Sequence, residues 1–157
     1  MEAALPKSWE RLGLVQVTTA TLKALAPADS TAVAKAIDEM GVRSARAQGL
    51  SKPITTYSVM RTSDNRLYMA VDRGVLRGIL RVGKRSLYVR RKPDSEYSQI
   101  SPLCVLDFYV HESCQRSGVG AQLFRHMLSR EEAQPHKLGY DRPSHKLVSF
   151  LRRHCGV

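Results

Sequence analysis

The segment Leu103–Val110 (LCVLDFYV) is nearly all apolar, and it runs through Gln115-Arg116-Ser117-Gly118-Val119-Gly120 into Ala121–Arg130 (AQLFRHMLSR). An eight-residue apolar run predicts a strand buried on both faces. Asp107 inside that run is unusual. Glycines at 118 and 120 let the backbone bend and approach a ligand closely. The amides of Arg116–Gly120 can converge where the following helix leaves its first N–H groups unpaired. Amide cluster and helix start together make an anion site suited to a diphosphate, with Arg116 adding a full charge. A lone GxG carries little weight. The pattern Q/R-x-x-G-x-G/A between a buried strand and a helix is more specific. It is not the dinucleotide fingerprint, because a third glycine is missing and the strand does not open a βαβ unit.

The rest of the chain is read around that centre. Leu12, Leu14 and Val17 with Thr18 and Thr19 predict a first strand, and Ala24–Asp29 a loop. Ser30 is a candidate N-cap for a helix Thr31–Gln48, carried by Val33, Ile37 and Met40 at helical spacing, interrupted by Gly41 and stopped by Gly49. Ile54–Met60, Leu67–Val71, Leu76–Val82 and Ser86–Val89 predict strands. The Ser63-Asp64-Asn65 turn, Gly74 and Gly83-Lys84 divide them into antiparallel hairpins. Lys92–Ser101 is polar and predicts a surface loop. Leu138–Tyr140 predicts a short strand, and Ser144–His154 an amphipathic helix through Leu147, Val148 and Leu151. This order predicts an α+β domain over residues 1–157, a sheet with helices packed on it.

Composition narrows the class. At 157 residues one domain is expected, and 43% hydrophobic content with 6% aromatics predicts a mostly aliphatic core. There are 25 Lys+Arg against 14 Asp+Glu, a net charge of +11. Excess positive charge favours anionic partners: nucleic acid, a phosphorylated cofactor or an acidic protein. Within 61–100 stand Arg61, Arg66, Arg73, Arg77, Arg81, Lys84, Arg85, Arg90, Arg91 and Lys92, either a solvated strand face or an anion-facing surface. Cys104, Cys114 and Cys155 show no CxxC, which argues against a disulfide framework or zinc knuckle and fits a reducing compartment. The five histidines show no HExxH. No apolar run suits a signal peptide or a membrane span, so a soluble intracellular protein is expected.

The loop and its setting match the coenzyme A signature of the GNAT acetyltransferase superfamily. Leu103–Ser113, Gln115-Arg116, Pro135-His136 and Asp141-Arg142-Pro143-Ser144 resemble the α-tubulin N-acetyltransferase family. So do Ala45-Arg46-Ala47-Gln48-Gly49-Leu50 and Pro53-Ile54-Thr55. The likeness runs from about Val33 to Cys155. It implies a GNAT-like, mostly antiparallel central sheet flanked by helices. Two departures stand out. The family's basic residue after Pro-Ile-Thr aligns with Val59, and the family domain continues with further β-structure beyond Val157, so the sheet is expected to lack its last strands.

The resemblance implies acetyl-CoA as cofactor and transfer to the lumenal lysine of α-tubulin in a ternary complex. It implies cofactor contacts over Phe108, Tyr109, Val110, His111, Glu112, Ser113, Cys114, Gln115, Arg116, Ser117, Gly118, Val119, Gly120 and Ala121. A second stretch comprises Ser144, His145, Lys146, Leu147, Val148, Ser149, Phe150, Leu151, Arg152 and Arg153. Free lysine has a pKa of about 10.4, so acylation at neutral pH needs a group that removes a proton. The resemblance offers Asp141 and Cys104, with Gln48 as a further residue of the site. Other readings stand beside these: Cys104 as a small core side chain, Asp141 as a helix cap, Gln48 as an exposed polar residue. Asp107 suits a strand anchor better than a substrate ligand, and His111 suits packing better than proton transfer. The expected partner is α-tubulin in microtubules, the protein a monomer, and the location the cytoplasm, the cytoskeleton and a cilium or flagellum. No membrane association is expected, and nucleic acid is disfavoured because no RNA or DNA motif appears. Two alternatives remain: a non-catalytic acyl-CoA or nucleic-acid binding module, and a GNAT enzyme for another amine.

Overall fold

The computed structural model describes residues 5–9, 13–90, 92–93, 96–140 and 145–156. Along the chain the elements are β1 (Leu14–Val17), α1 (Thr19–Lys23), α2 (Pro27–Ala47), α3 (Tyr57–Thr62), β2 (Arg66–Asp72), β3 (Val75–Lys84) and β4 (Leu87–Val89). There follow β5 (Ser98–Ile100), β6 (Leu103–Val110), α4 (Val119–Glu131), β7 (Gly139–Tyr140) and α5 (His145–Cys155). One five-stranded sheet has the order β1-β2-β3-β6-β7, and β4 and β5 form a separate pair. Every pairing in the main sheet is antiparallel except β6 with β7. The β2–β3 hairpin turns on Arg73 and Gly74 at φ 52 and 77. Two left-handed residues in a row match the right-handed twist of the strands they join.

Strand alternation sends side chains to two cores. Leu67, Met69, Ile79 and Tyr109 meet Val33, Ile37 and Met40 of α2 and Met60 of α3. Tyr68, Leu80, Val82 and Val105 meet Leu123, Phe124 and Met127 of α4 and Leu151 of α5. Each fully buried apolar side chain contributes about 1.5–3 kcal/mol, so α4 is held chiefly by these contacts.

A bulge decides which residues of β6 face which core. Arg81 stands opposite Asp107 and Val82 opposite Val105, leaving Leu106 as an extra residue. A bulge shifts the alternation by one. Val105 and Phe108 therefore join the same core, while Asp107 and Tyr109 point to the α2 side. Cys104, Leu106, Phe108 and Val110 thus do not follow one uninterrupted alternation along β6.

Other expectations are corrected by local chemistry. Thr18 and Thr19 leave the first strand, because Thr18 caps α1 in a reciprocal capping box with Thr21; Leu12 lies outside the described residues. The Ala24–Asp29 loop is shorter than expected, since α2 starts at Pro27, whose fixed φ and missing N–H suit a first helical position. Ser30 is thus not an N-cap; it lies inside α2, with Oγ 2.9 Å from the Tyr57 hydroxyl. Ile54–Met60 is not a strand. Thr56 accepts from the Val59 N–H at 3.1 Å and starts α3, and Asp38 accepts from the Tyr57 N–H at 2.8 Å. These caps outweigh the β-propensity of Thr, Tyr and Val. Gly83 and Lys84 do not break the chain but end β3. A Cβ at Gly83 would lie 2.4 Å from Asn65 Nδ2, so its small size serves packing. The Lys92–Ser101 segment holds β5, paired with β4. The helix end at Gly49 (φ 71), β6 and the short strand and helix near the C-terminus agree with the sequence reading.

Among the described basic residues in 61–100, Arg81 and Arg66 serve the fold. Arg81 is 4% exposed. Arg66 pairs with Glu131 through Nε at 3.0 Å and Nη2 at 2.5 Å, and the Tyr68 hydroxyl donates to the same carboxylate. Burial pushes the Glu131 carboxyl up, but hydrogen bonds from Arg66 and Tyr68 and the charges of Arg66 and Arg130 outweigh it and hold it below the usual range. A carboxylate with a depressed folded-state pKa stabilises above its unfolded value of about 4.3, and that contribution is lost as pH falls through the folded value. Glu131→Gln should cost about 2 kcal/mol at pH 7, the scale of hydrogen bonds to a charged group. Melts repeated at progressively lower pH should show the difference between the two proteins shrinking, because the wild-type carboxyl takes up its proton as pH falls through its depressed folded-state value.

Candidate functional site

The parallel pairing of β6 with β7 covers only Cys104↔Gly139 and Val105↔Tyr140. Beyond it, among the described residues, no strand lies along that edge of Leu106–Val110. The His111 N–H donates to Arg77 O at 2.8 Å on the β3 side. Alternation then directs the N–H groups of Phe108 and Val110 to the open edge. Consistent with this, Val110 O accepts from Gln115 Nε2 at 2.9 Å.

At the end of β6 the chain makes a 3-10 turn over Glu112–Cys114. His111 Nδ1 accepts from the Ser113 N–H at 3.1 Å, which fixes the ring as a cap. Glu112 accepts from the Tyr109 hydroxyl at 2.6 Å and pairs with Arg43 of α2 at 3.5 Å. The Tyr109 hydrogen bond is the main reason its carboxyl sits below the usual range. The loop then turns through Arg116 at φ 68 and Gly118 at φ 88. Ser117 donates through its hydroxyl to Cys114 O.

The helix α4 begins at Val119 with Gly118 as its N-cap and no side-chain cap. A Cβ built on Gly118 would meet nothing within 4 Å, so the space above the loop is open. Gly120 lies closer to its surroundings, with Val110, Phe108 and Phe150 atoms 3.5–3.7 Å from a notional Cβ. Behind the loop stands an aromatic wall. Phe150 stacks on Phe124 at 5.5 Å and meets Phe108 edge-on at 5.3 Å. Lys146 of α5 reaches Gln115 Oε1 at 3.5 Å. Gln115 thus braces the loop between β6 and α5.

The two halves of the expected cofactor set, Phe108–Ala121 and the described part of α5, therefore come together at one end of β6. Within α5 they do so unequally: Phe150 and Leu151 pack inward, while Lys146, Arg152 and Arg153 are exposed. Asp141 and Ser144 lie outside the described residues. Cys104 is 2% exposed, its Sγ 3.5 Å from Pro102 O. A Cβ on Gly139 would sit 2.5 Å from that sulfur, so β7 approaches closely only because residue 139 is glycine.

Gln48 is not a plain surface residue. It is the C-cap of α2, and its Nε2 lies 2.9 Å from Ser44 Oγ and 3.1 Å from Asp107 Oδ1. Asp107 also accepts from Ser44 Oγ at 2.7 Å and Thr55 Oγ1 at 2.6 Å. Thr55 Oγ1 accepts from Arg81 Nε at 3.1 Å, and Arg81 Nη1 donates to Asn65 at 2.7 Å. The sequence reading missed Ser44, Thr55, Arg81 and Asn65. Its usable signal was Asp107 itself, since a carboxylate in an apolar strand needs buried partners. Among the described residues no cluster of His, Cys, Asp or Glu could hold a metal, and no helix is long and apolar enough to cross a membrane.

Comparison with known proteins places this geometry in context. Residues 10–157 match the family model described as GNAT acetyltransferase, Mec-17. A protein of Anopheles gambiae named alpha-tubulin N-acetyltransferase is 48% identical over 134 residues, covering 82% of this chain and 28% of its own. One of the same name from Phytophthora infestans (strain T30-4) is 40% identical over 154 residues, covering 87% and 86%. The chain therefore spans less than a third of the Anopheles relative but most of the Phytophthora one. The solved xEco2 acetyltransferase domain is 14% identical with a TM-score of 0.61, over 100% of this chain and 92% of that one, a likeness of fold.

Proposed function

The chain belongs to the Mec-17 family of GNAT acetyltransferases, and on that premise we propose that it is an acyltransferase that moves an acetyl group from acetyl-CoA to a lysine of α-tubulin. The observation that carries this reading is the open edge of β6 running into an uncapped helix start at Gly118. The residues present fit acetyl-CoA. The space over Gly118 admits a diphosphate, the first-turn amides of α4 face it, and Arg116 and Lys146 supply positive charge. Phe108 and Val110 offer N–H groups to the acyl carbonyl and the pantetheine arm, donors that favour negative charge developing on the carbonyl oxygen. When bound, acetyl-CoA supplies an activated thioester.

The chain's own task is to bring in a neutral amine. Asp141, which follows Tyr140 of β7 in the sequence, takes the role of holding the incoming ammonium and accepting its proton. An ordinary aspartate near pKa ~3.9 does this poorly unless its surroundings raise it. Cys104 plays a supporting part, shaping the junction of β6 and β7. Transfer is direct, within a complex of protein, cofactor and substrate, and the acceptor is the lumenal lysine of α-tubulin. Exposed Lys84, Arg85, Arg90 and Lys92 around β4 and β5 suit an acidic partner such as tubulin. Action on microtubules places the protein in the cytoplasm, including cilia or flagella.

Labelled acetyl-CoA incubated separately with polymerised tubulin, RNA and polyamines tests this. The expected result is label on an α-tubulin lysine, lost in Asp141→Asn. Label on polyamines alone would favour another amine. RNA retention with a steep salt dependence and no transfer would favour a binding module.

A further inference from the structure

Away from the end of β6, a second concave site lies between α1, α3 and the turn that leads from α3 into β2, with a volume of about 960 Å³. That is room for a small molecule, yet the site is an open trough, a shape that suits a passing chain segment. Its walls carry Lys23 of α1 and Arg61 of α3, both exposed. Among the described residues neither side chain has a hydrogen bond or an ion pair. Asp64 is the one acid in the lining, and its charge is drawn to Arg66, whose Nη1 also donates to Asp64 O at 3.1 Å. The floor is fixed. Thr19 Oγ1 lies 2.9 Å from Met60 O and 2.5 Å from Ser63 O, which ties α1 to the end of α3. Thr62 spends its hydroxyl proton on Ser58 O at 2.7 Å. With these hydroxyl protons engaged, Lys23 and Arg61 are the strong donors left for a ligand.

Strand pairing relates this trough to the junction of β6 and β7. Asn65 lines the trough, and a Cβ on Gly83 would lie 2.4 Å from its Nδ2. Gly83 pairs with Cys104, and Cys104 with Gly139. Directly opposed residues of an antiparallel pair face the same way, so Asn65 and Cys104 share one face at one end of the sheet. Neighbouring strands are about 4.8 Å apart, which puts the Asn65 end of the trough roughly 10 Å from Cys104. The cations lie farther out, roughly 10–20 Å from the junction, and an extended chain covers that span in about three to six residues.

We infer that the Lys23–Arg61 trough is a subsite for a polypeptide substrate, in which the two cations take an acidic side chain a few residues away from the acceptor lysine. The inference rests on the acyltransferase reading above. The planar fork of Arg61 matches a carboxylate through two N–H groups, and Lys23 adds a point charge. A basic segment in the same place meets like charge and is rejected.

The test uses the whole chain, acetyl-CoA, microtubules and two synthetic peptides around the same α-tubulin lysine. One peptide carries Asp or Glu at the spacing above, and its twin carries Asn or Gln there. Wild type should favour the acidic peptide by about fivefold or more in kcat/KM, and less so as salt is raised. Lys23→Gln combined with Arg61→Gln should bring the ratio close to one by slowing the acidic peptide alone. Acetyl-CoA affinity and melting temperature should stay at wild-type values, because both side chains are exposed and hold nothing in the fold. Lys35→Gln with Arg125→Gln removes the same charge from exposed positions elsewhere and should keep the preference. Equal use of the two peptides by wild type, an equal loss on both peptides in the Lys23 and Arg61 variant, or the same loss in the control pair would overturn the inference and leave the acyltransferase reading in place. Transfer to microtubules but to neither peptide would overturn it too, since the trough would not then be reading the segment around the lysine. No transfer to any acceptor would remove the acyltransferase reading, and this inference with it.

Discussion

Replacing Gly41 with alanine should lower the melting temperature by roughly 5–10 °C, although the substitution is made inside a helix that glycine weakens. Propensity alone predicts a gain of about 1 kcal/mol, because alanine loses less backbone entropy in a helix. Packing reverses the sign. A Cβ at position 41 would stand 1.9 Å from Thr55 O, a backbone atom that cannot rotate aside. The Pro53–Thr55 segment would have to move, and Thr55 Oγ1 would leave Asp107, where it now donates at 2.6 Å. Overpacking typically costs 1–3 kcal/mol and a disturbed buried carboxylate adds to it, so a net loss of about 2–3 kcal/mol is expected. Differential scanning calorimetry of the variant checks this. A melting temperature at or above wild type would mean that α2 and the Thr55 segment do not meet as described.

The second large effect falls on the loop. Gly118→Val should weaken acetyl-CoA binding by at least about tenfold, a loss above 1.4 kcal/mol, while the fold survives. Gly118 sits at φ 88, where a β-branched residue is strained by about 1–3 kcal/mol, and its Cβ would project into the open space over the helix start. Strain and obstruction act on the same atoms, the amides that would face a diphosphate. Isothermal titration calorimetry on the variant gives the answer, and unchanged affinity would contradict the assignment of the loop.

The parts of this structure legible in the sequence are those where one local signal decides the outcome. The run Leu103–Val110 is apolar enough to be central in any fold. Gly118 marks a turn whichever way the rest of the chain packs, whereas Gly120, expected in the same turn, already lies in the first turn of α4. The segments that resisted are those where two local signals compete. Ile54–Met60 has the composition of a strand, yet the Thr56 cap and the Asp38 carboxylate turn it into α3. Leu106 gives no sign that it will be the extra residue of a bulge, and that single insertion decides that Asp107 looks toward α2. The polar network could not be foreseen, because Ser44, Thr55 and Arg81 come from three separate stretches that meet only after folding. Asp107 signalled that partners must exist without naming them. Gly41 carried the complementary hint: a glycine kept inside a helix despite its cost often marks a close approach by another segment.

The measurement closest to the central claim is the melting temperature of the protein with and without acetyl-CoA, with Gly118→Val run beside it. A ligand bound only by the folded state, at a hundred times its dissociation constant, stabilises by about 2.7 kcal/mol. For a chain of this size the account predicts a rise of several degrees in the wild type and little or none in the variant. No shift in the wild type at millimolar cofactor, or an equal shift in both proteins, would contradict it.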